Sequence, residues 1–202
     1  MPEIVSSPSV LGLWAAIGYL VGSVSAGLLM ARLFGLGDLR RIGSGNIGAT
    51  NVLRTGNKVA AALTLALDAG KGAIAVLLAR AFVAGDAVQL AGLAAFLGHC
   101  FPVWLRFRGG KGVATFLGTL LALAWPLGLA ACATWAATAA LSRISSLSAL
   151  VAAVLGPLWA AALGRPDLGM LCLVLALVIF WRHADNIRRI LNGTEKRIGQ
   201  KS

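Results

Sequence analysis

The chain has 202 residues, of which 58% are hydrophobic and only 12% are charged, and its mean hydropathy is +0.84. Since a soluble domain carries about 25% charged residues, this composition excludes a soluble globule, a disordered chain and a disulfide scaffold. One helical span takes about 20 apolar residues, so the length suits seven spans with short loops. We therefore expect a single all-α, polytopic membrane domain over residues 1–202.

Seven apolar segments follow one another along the chain. They are rich in Ala and Leu and lack the alternation of a membrane-spanning strand, so helices are expected and a barrel is not. Trp125-Pro126 predicts either a tight turn between two short helices or a kink in one long helix, and Gly156-Pro157 predicts a kink. The predicted spans are 9–34, 59–81, 86–105, 113–124, 127–141, 146–164 and 168–182.

The 18 Lys and Arg against 7 Asp and Glu give a formal net charge of +11. With the N-terminus outside, nearly all basic residues fall in cytoplasmic loops, while Arg80 and Arg165 lie outside and Lys71 lies within a span. The positive-inside rule therefore predicts an outside N-terminus and a cytoplasmic C-terminus. This distribution indicates topology rather than a nucleic-acid partner, and we expect Arg197 and Lys201 to contact anionic lipid headgroups.

The loop after the first span is rich in glycine and in hydrogen-bonding side chains. Its three glycines between residues 43 and 48 allow the backbone to bend and to approach a ligand closely. Thr50, Asn51 and Arg54 would share one helical face, since they are three or four residues apart. Such groups suit an oxyanion or a phosphate, whereas the alternative is a flexible loop with an ordinary helix cap. The candidate binding residues here are Ser44, Gly45, Asn46, Thr50, Asn51 and Arg54.

The loop after the third span contains a second glycine cluster around a lysine. Gly109, Gly110 and Gly112 can present backbone N–H groups as an anion nest at the start of a helix, whose dipole adds positive potential. Lys111 adds a formal charge, and Thr115 adds a hydroxyl one turn later. Because Ser or Thr does not follow the lysine directly, this is not a Walker A loop. The pattern predicts a phosphate site, but not a nucleotide triphosphatase.

The segment after the last span adds a third polar group. His183 and Asn186 are three residues apart, so they lie on one side of a helix. Arg189 and Glu195 follow shortly after them in the chain. We expect a polar site here, because the cytoplasmic end of this span is also where the other two loops lie.

Ionisable residues also occur within the predicted spans. Asp68 and Lys71 are costly to place in a bilayer and are expected to face a partner or a cavity. Their spacing of three residues also allows them to pair with each other. His99 is expected to be a packed interfacial residue rather than a ligand.

Metal and covalent chemistry are not predicted. Cys100, Cys132 and Cys172 are too far apart for a metal motif and are expected to be free, buried thiols. The two histidines lack paired carboxylates on a shared face. No Ser–His–Asp or Cys–His group indicates an acyl-enzyme intermediate. We therefore expect neither a metal nor a cofactor.

The three polar segments are expected to meet on one membrane face. Such a site is electropositive, rich in donors and open sideways to hydrocarbon. It suits a reaction that joins a phosphorylated soluble substrate to a lipid-like one. The alternatives are a transporter or channel for a phosphorylated solute, which the lack of an internal repeat disfavours, and a non-catalytic scaffold, which would not explain the glycine–lysine loop.

Three stretches closely resemble the signatures of the bacterial acyl-phosphate-dependent glycerol-3-phosphate acyltransferases (the PlsY family). The resemblance covers nearly the whole chain in matching order and spacing, and Asp68-Ala69-Gly70-Lys71-Gly72 and Ser142-Arg143 are also similar to that family. The stretches are Gly43-Ser44-Gly45-Asn46-Ile47-Gly48-Ala49-Thr50-Asn51-x-x-Arg54, Gly98-His99 followed by Phe107-x-Gly109-Gly110-Lys111-Gly112-Val113-Ala114-Thr115, and Arg182-His183-x-x-Asn186-Ile187-x-Arg189 with Gly193-x-Glu195.

The resemblance implies a seven-span enzyme of the bacterial cytoplasmic (inner) membrane whose active site faces the cytoplasm. It implies transfer of a fatty acyl group from acyl phosphate to the sn-1 hydroxyl of glycerol 3-phosphate, giving lysophosphatidic acid and phosphate. Acyl-CoA and acyl carrier protein are not direct donors in that family. Consistently, the H-x-x-x-x-D motif of another acyltransferase class is absent after His99 and after His183.

The resemblance also suggests roles for individual residues. Arg54, Lys111, His183 and Asn186 are expected to be catalytic and to hold glycerol 3-phosphate, while Ser44 and the 109–112 loop receive the acyl phosphate. The proton of the attacking hydroxyl goes either to His183 or to a phosphate oxygen of the donor. The supporting residues are Asp68, Lys71 and His99. Further substrate-binding candidates are Gly45, Asn46, Thr50, Asn51, Thr115, Ser142, Arg143, Arg189 and Glu195.

Overall fold

The structure is a computed structural model that describes residues 3–83 and 85–200, so Lys201 lies outside the described residues. Within these ranges every regular element is helical, as the composition predicts. The α-helices are α1 (Pro8–Ser23), α2 (Ala26–Leu33), α3 (Ala49–Leu53), α4 (Lys58–Arg80), α5 (Gly85–Cys100), α6 (Val113–Leu123), α7 (Trp125–Ser142), α8 (Ser145–Ala162), α9 (Gly169–Arg182) and α10 (Ala184–Leu191).

Four helical segments are long and apolar enough to cross a membrane by themselves. A fifth candidate consists of two consecutive helical segments, Pro166–Arg182, which contains α9, and Ala184–Leu191, which is α10. The two segments are bent by 65° relative to each other. Because α6 has only 11 residues, length and composition do not establish the count of seven spans, and the orientation of the termini also stays a prediction. The four segments are Pro8–Leu33, Lys58–Arg80, Gly85–Leu105 and Ser145–Ala162.

The first span is broken between α1 and α2, where Val24 and Ser25 adopt extended backbone conformations. α1 packs directly on α5, since the backbone of Gly22 lies against the backbone of Ala95 and leaves no space for a Cβ atom. Small residues allow such close approach of helices in a membrane. The break therefore interrupts the first span without separating it from the bundle.

The chain reverses direction between α6 and α7, so the tight turn is correct and the single kinked helix is not. Ala124 is extended, and Pro126 lies in the first turn of α7, where a missing N–H costs no hydrogen bond. The Gly128 backbone lies against the backbone of Leu121, which one continuous helix would not allow. In contrast, α8 remains helical through Pro157.

The interior of the bundle is apolar and contains residues of α1 and of each helix from α4 to α9. Phe96 and Phe116 are fully buried there. The three cysteines are free, as predicted; Cys100 and Cys172 are buried, and Cys132 is half-buried. The α2–α4, α5–α6 and α9–α10 connections lie together at one end of this core and contact one another.

Candidate functional site

A cleft of about 350 Å³ lies where these three connections meet. It brings together the three segments that the sequence marks as polar, and five of its thirteen lining residues are Lys or Arg. The predicted residues in its wall are Ser44, Gly45, Asn46, Gly109, Lys111 and Arg189; the others are Arg40, Ile47, Arg108, Trp181, Arg182, Ala184 and Asp185.

The buried side chain of Asn51 organises the first wall of the cleft. Its Nδ2 donates to the carbonyl oxygens of Leu39 (2.8 Å) and Asn46 (2.7 Å). Its Oδ1 accepts from the Ser44 amide (3.2 Å) and from Arg54 Nη1 (3.5 Å). Asn51 therefore fixes the path of the loop and orients Arg54, and it acts on the cleft through these neighbours.

The second wall is the glycine loop, and here one sequence prediction is wrong. The N–H groups of Gly109 and Gly110 do not form an anion nest, because they donate to the carbonyl oxygens of Cys100 and His99 (3.1 Å each). The close packing of the loop on the end of α5 explains these glycines, since a Cβ atom on Gly110 would collide with the His99 ring. The loop presents the Lys111 side chain to the cleft.

Gly112 at the end of the loop has a similar structural reason. Its φ is +84°, and its backbone lies directly against the Phe96 ring. Only glycine adopts this conformation without strain and leaves room for the ring. Gly112 therefore turns the chain from the loop into α6.

The carboxylate of Glu195 lies next to the third wall and bonds to Arg189, which lines the cleft, whereas Asn186 and Glu195 are not among the lining residues. Glu195 Oε1 accepts from Asn186 Nδ2 (2.5 Å) and from Ser146 Oγ (2.7 Å). Its Oε2 accepts from Arg189 Nε (2.6 Å). Because Lys111 Nζ donates to Asn186 Oδ1, a continuous chain of hydrogen bonds links the glycine loop to Glu195.

Positive charge exceeds negative charge around Glu195. The pKa of Lys111 is lowered to about 8, first by burial and then by Arg189, while Glu195 partly offsets the shift. Burial also lowers the pKa of Arg54, which the same carboxylate raises. Burial raises the pKa of Glu195, but hydrogen bonds from Ser146, Arg189 and Asn186 outweigh it, so the net pKa is below its usual value. The carboxylate of Glu195 thus acts electrostatically on both predicted cations, Arg54 and Lys111.

His183 is buried behind this group, at the junction of α9 and α10. Its Nδ1 lies 2.8 Å from the carbonyl oxygen of Ile179. A carbonyl only accepts, so Nδ1 carries a proton, and in the neutral ring Nε2 holds the free lone pair. His183 is therefore in the tautomer that a proton acceptor acting through Nε2 requires.

Two predicted threonines make contacts within the protein. The Thr115 hydroxyl is fully buried and donates to the backbone oxygen of Asp68 (2.8 Å). Thr50 Oγ1 lies 3.2 Å from Ser145 Oγ. Neither threonine lines the cleft, and the two contacts hold α6 on α4 and α3 near α8.

The Ser142-Arg143 pair is also placed away from the cleft wall. Ser142 Oγ donates to the Thr138 oxygen of its own helix (2.6 Å). Arg143 Nη2 donates to the oxygen of Ile198 (3.3 Å) and so contacts the segment that follows Glu195. The structure does not bring this pair together with the other predicted binding residues.

The predicted pairing of Asp68 with Lys71 is confirmed. Lys71 Nζ lies 2.8 Å from Asp68 Oδ1 and also donates to the oxygen of Val24 (2.9 Å) at the break in the first span. His99 Nδ1 lies 3.4 Å from the same carboxylate oxygen, so this histidine joins the cluster instead of packing alone. Because all three side chains are buried, the cluster connects α4 with α5 and with the α1–α2 break.

Several side chains that shape the cleft are not among the candidates identified from the sequence. Arg182 donates to the carbonyl oxygens of the glycine loop, and Arg40 Nη2 donates to the oxygen of Arg108 (3.3 Å). The position of Arg182 next to His183 in the sequence could have indicated that Arg182 lies at the site. The contact between Ser146 and Glu195 joins residues 49 positions apart, and local spacing carries no sign of it.

Comparisons with known proteins give one consistent result. The family model of glycerol-3-phosphate acyltransferase matches residues 12–193. A glycerol-3-phosphate acyltransferase of Jannaschia sp. is 68% identical over 202 residues, with all of both chains covered. One of Cereibacter sphaeroides is 66% identical over 202 residues, covering 100% of this chain and 96% of the relative.

Two crystal structures are similar along almost the full length. Both are of PlsY (YgiH), an integral membrane glycerol 3-phosphate acyltransferase. Its glycerol 3-phosphate form has a TM-score of 0.88 at 37% identity, covering 94% of this chain and 96% of that one. Its lysophosphatidic acid form has a TM-score of 0.84 at 34% identity, with 94% and 95% covered.

Proposed function

Because the chain belongs to the glycerol-3-phosphate acyltransferase family, we propose that it transfers a fatty acyl group from an acyl phosphate to the sn-1 hydroxyl of glycerol 3-phosphate. The products are lysophosphatidic acid and inorganic phosphate, and the reaction is the first acylation of phospholipid synthesis. Acyl phosphate is the direct donor, and neither acyl-CoA nor acyl carrier protein replaces it.

The observation that carries this proposal is the excess of cations in a cleft of the size of a small ligand. Lys111 and Arg189 line the cleft, and the carboxylate of Glu195 beside it acts on both of them and on Arg54. Both substrates are phosphates, and their mutual repulsion opposes the encounter of hydroxyl and carbonyl. A partly buried group of fixed cations offsets that repulsion, because charge interactions strengthen away from bulk water.

The reaction requires little covalent chemistry from the protein. The glycerol hydroxyl oxygen bonds to the acyl carbon, and the bond from that carbon to the phosphate oxygen breaks. Inorganic phosphate leaves with the bonding electrons. Holding the two reactants in this geometry supplies a large part of the rate enhancement.

Arg54, Lys111 and Asn186 bind the phosphate of glycerol 3-phosphate in this proposal. Ser44 contacts the donor phosphate in this proposal, from the same wall of the cleft as Arg54, since Asn51 bonds to both residues. The hydroxyl proton is accepted either by Nε2 of His183, whose tautomer suits that role, or by a phosphate oxygen of the donor. Asn51 positions Arg54 and the Ser44 amide.

The proposed topology has seven spans in the bacterial inner membrane, an outside N-terminus and a cytoplasmic C-terminus. The cleft then opens to the cytoplasm. In support, Arg80 and Arg165, the two arginines expected outside, line one common cavity next to the α6–α7 turn. That cavity shares no lining residue with the cleft.

The test uses purified protein in detergent with palmitoyl phosphate and glycerol 3-phosphate. We expect release of inorganic phosphate together with 1-palmitoyl lysophosphatidic acid, identified by mass spectrometry and positional analysis. Palmitoyl-CoA and palmitoyl acyl carrier protein serve as alternative donors and should give no product. Product from palmitoyl-CoA but not from palmitoyl phosphate would refute the donor, and a 2-acyl product would refute the position. A transporter would release no phosphate in this assay, which has no sealed compartment.

A further inference from the structure

Arg182 is the last residue of α9 and reaches the glycine loop from the side opposite α5. Its Nε donates to the carbonyl oxygen of Gly110 (3.1 Å), and its Nη2 donates to that of Gly109 (2.9 Å). Its Cζ lies 5.4 Å from the centre of the Phe101 ring. One guanidinium therefore bonds two consecutive peptide groups while resting on an aromatic face.

The same two peptide groups are also bonded through their N–H groups. Gly109 donates to Cys100, and Gly110 donates to His99, at the end of α5. The loop is thus fastened on both edges, by α5 through its amides and by Arg182 through its carbonyls. Gly109 and Gly110 immediately precede Lys111, so these contacts determine where the Lys111 backbone begins.

We infer that Arg182 is a positioning residue for the reaction, which holds the glycine loop so that the Lys111 ammonium meets a substrate phosphate. This inference rests on the proposed function for the role of Lys111. The planar guanidinium presents two parallel N–H donors at a fixed spacing, whereas a lysine ammonium is a single point charge. Lysine at position 182 therefore keeps the charge and loses the double contact.

The environment of Lys111 supplies a readout of the loop position. The charged and titratable groups that act on it are Arg182, His183, Asp185, Arg189 and Glu195, all from α9, α10 or the segment after them. Burial is the largest influence and lowers the pKa of Lys111 to about 8. If the loop loosens, the ammonium gains hydration and its pKa rises towards the ordinary value.

The experiment compares Arg182→Lys with Arg188→Lys, the same change on α10. Arg188 is a matched control because its side chain is 79% exposed and its one ion pair, with Asp185 at 3.6 Å, is a single exposed contact that a lysine ammonium also makes. The apparent pKa of Lys111 is measured by competitive labelling of its amine with acetic anhydride as a function of pH, followed by mass spectrometry. kcat and KM for glycerol 3-phosphate are measured on the same preparations.

For Arg182→Lys we expect a labelling midpoint above that of the wild type and a fall of at least about tenfold in kcat/KM. Arg188→Lys should match the wild type in both. Phe101→Leu removes the ring under the guanidinium, and it should shift the midpoint in the same direction by less. It also keeps the inference testable if Arg182→Lys does not purify as a folded protein.

An unchanged Lys111 midpoint in a folded Arg182→Lys or Phe101→Leu protein would overturn the inference, even if activity fell. A lower activity with an unshifted midpoint would assign Arg182 a direct contact with substrate. The labelling needs no turnover, so a wild-type protein without acyltransfer activity would refute the proposed function and still leave the effect of Arg182 on the loop measurable.

Discussion

The cleft and the buried cluster of Asp68, Lys71 and His99 arrange charge in opposite ways. In the cluster, one carboxylate faces one ammonium at 2.8 Å and one imidazole at 3.4 Å, so the charges balance locally. In the cleft wall, five Lys and Arg residues face one carboxylate, that of Asp185, and Glu195 lies just beside the wall. A balanced group within a span stabilises helix packing, whereas an unbalanced one at a solvent-accessible edge is suited to an anionic ligand. Substitutions in the cluster should therefore lower stability, whereas substitutions in the cleft should lower activity.

The largest effect is expected in the buried cluster. Asp68→Asn leaves the Lys71 ammonium buried without a counter-charge, which costs about 3–5 kcal/mol in the free energy of unfolding. The double variant Asp68→Asn, Lys71→Met removes both charges and should recover much of this loss. Thermal unfolding in detergent measures both, and equal stability of the wild type and Asp68→Asn would show that the ion pair does not hold the helices.

The next effect concerns the cleft alone. Lys111→Ala and Arg54→Ala should each lower the rate of phosphate release about 10²–10³-fold, because a fixed cation next to the developing charge is lost. Unlike Asp68→Asn, neither change should alter the thermal transition. Near-normal turnover in either variant would refute its role with the substrate phosphate.

A smaller loss of activity is expected when the charge of Glu195 is removed. Glu195→Gln keeps the shape of the side chain but weakens the charged hydrogen bonds from Arg189 and Asn186, which are worth about 1.5–3 kcal/mol each. We expect a loss of about tenfold to a hundredfold in kcat/KM. Thr194→Ser, an adjacent and exposed position, is the control; an unaffected Glu195→Gln enzyme would show that the carboxylate is dispensable.

The pH dependence of the reaction tests the charge of Lys111. Lys111 is charged below its pKa of about 8, so binding of the anion is present below that pH and is lost as the pH rises through it. Above this pKa, kcat/KM for glycerol 3-phosphate, which reports the free enzyme, should fall about tenfold per pH unit and so give an alkaline limb in the pH profile. Lys111→Arg stays charged, so its remaining activity should lack the limb. The same limb in that variant would assign it to another group.

The smallest effect is expected outside both regions. Arg197 has no contact with the cleft wall in the described residues, and its backbone N–H donates to Gln200 (2.8 Å). Arg197→Ala should leave turnover within about twofold, as is usual for surface positions. A steady-state assay with both substrates measures this, and a large loss would place the tail of the chain in the site.

The helices and the three polar segments could be predicted from sequence because both depend on local patterns. Apolar length locates α4, and glycine, lysine and amide residues at short spacing locate the walls of the cleft. The direction of the Gly109 and Gly110 N–H groups could not be predicted, since it depends on the packing of the loop against α5. The Glu195 contact with Ser146 likewise depends on how α8 meets the segment after α10.

Residue type alone also could not separate ligand contacts from internal ones. Thr115 and Ser142 have the same hydroxyl donors as Ser44, yet their hydroxyls are satisfied by backbone oxygens of α4 and α7. Thr115 is fully buried between two helices, whereas Ser142 bonds to the carbonyl one turn earlier in its own helix, and a resemblance of motifs reports neither placement. Residue type likewise does not indicate that the two donors of Arg182 are directed at peptide carbonyls.

Glu195 follows every other side chain of the cleft in chain order, beyond the last helix of the bundle. A chain that stops before residue 195 would still contain α1 to α10, but it would lack the carboxylate that aligns Asn186 and Arg189. The hydrogen-bonded network closes only when this late residue docks beside Ser146. We therefore expect a variant truncated just before Glu195 to keep its apolar helices and to lose the ordered arrangement of Asn186 and Arg189.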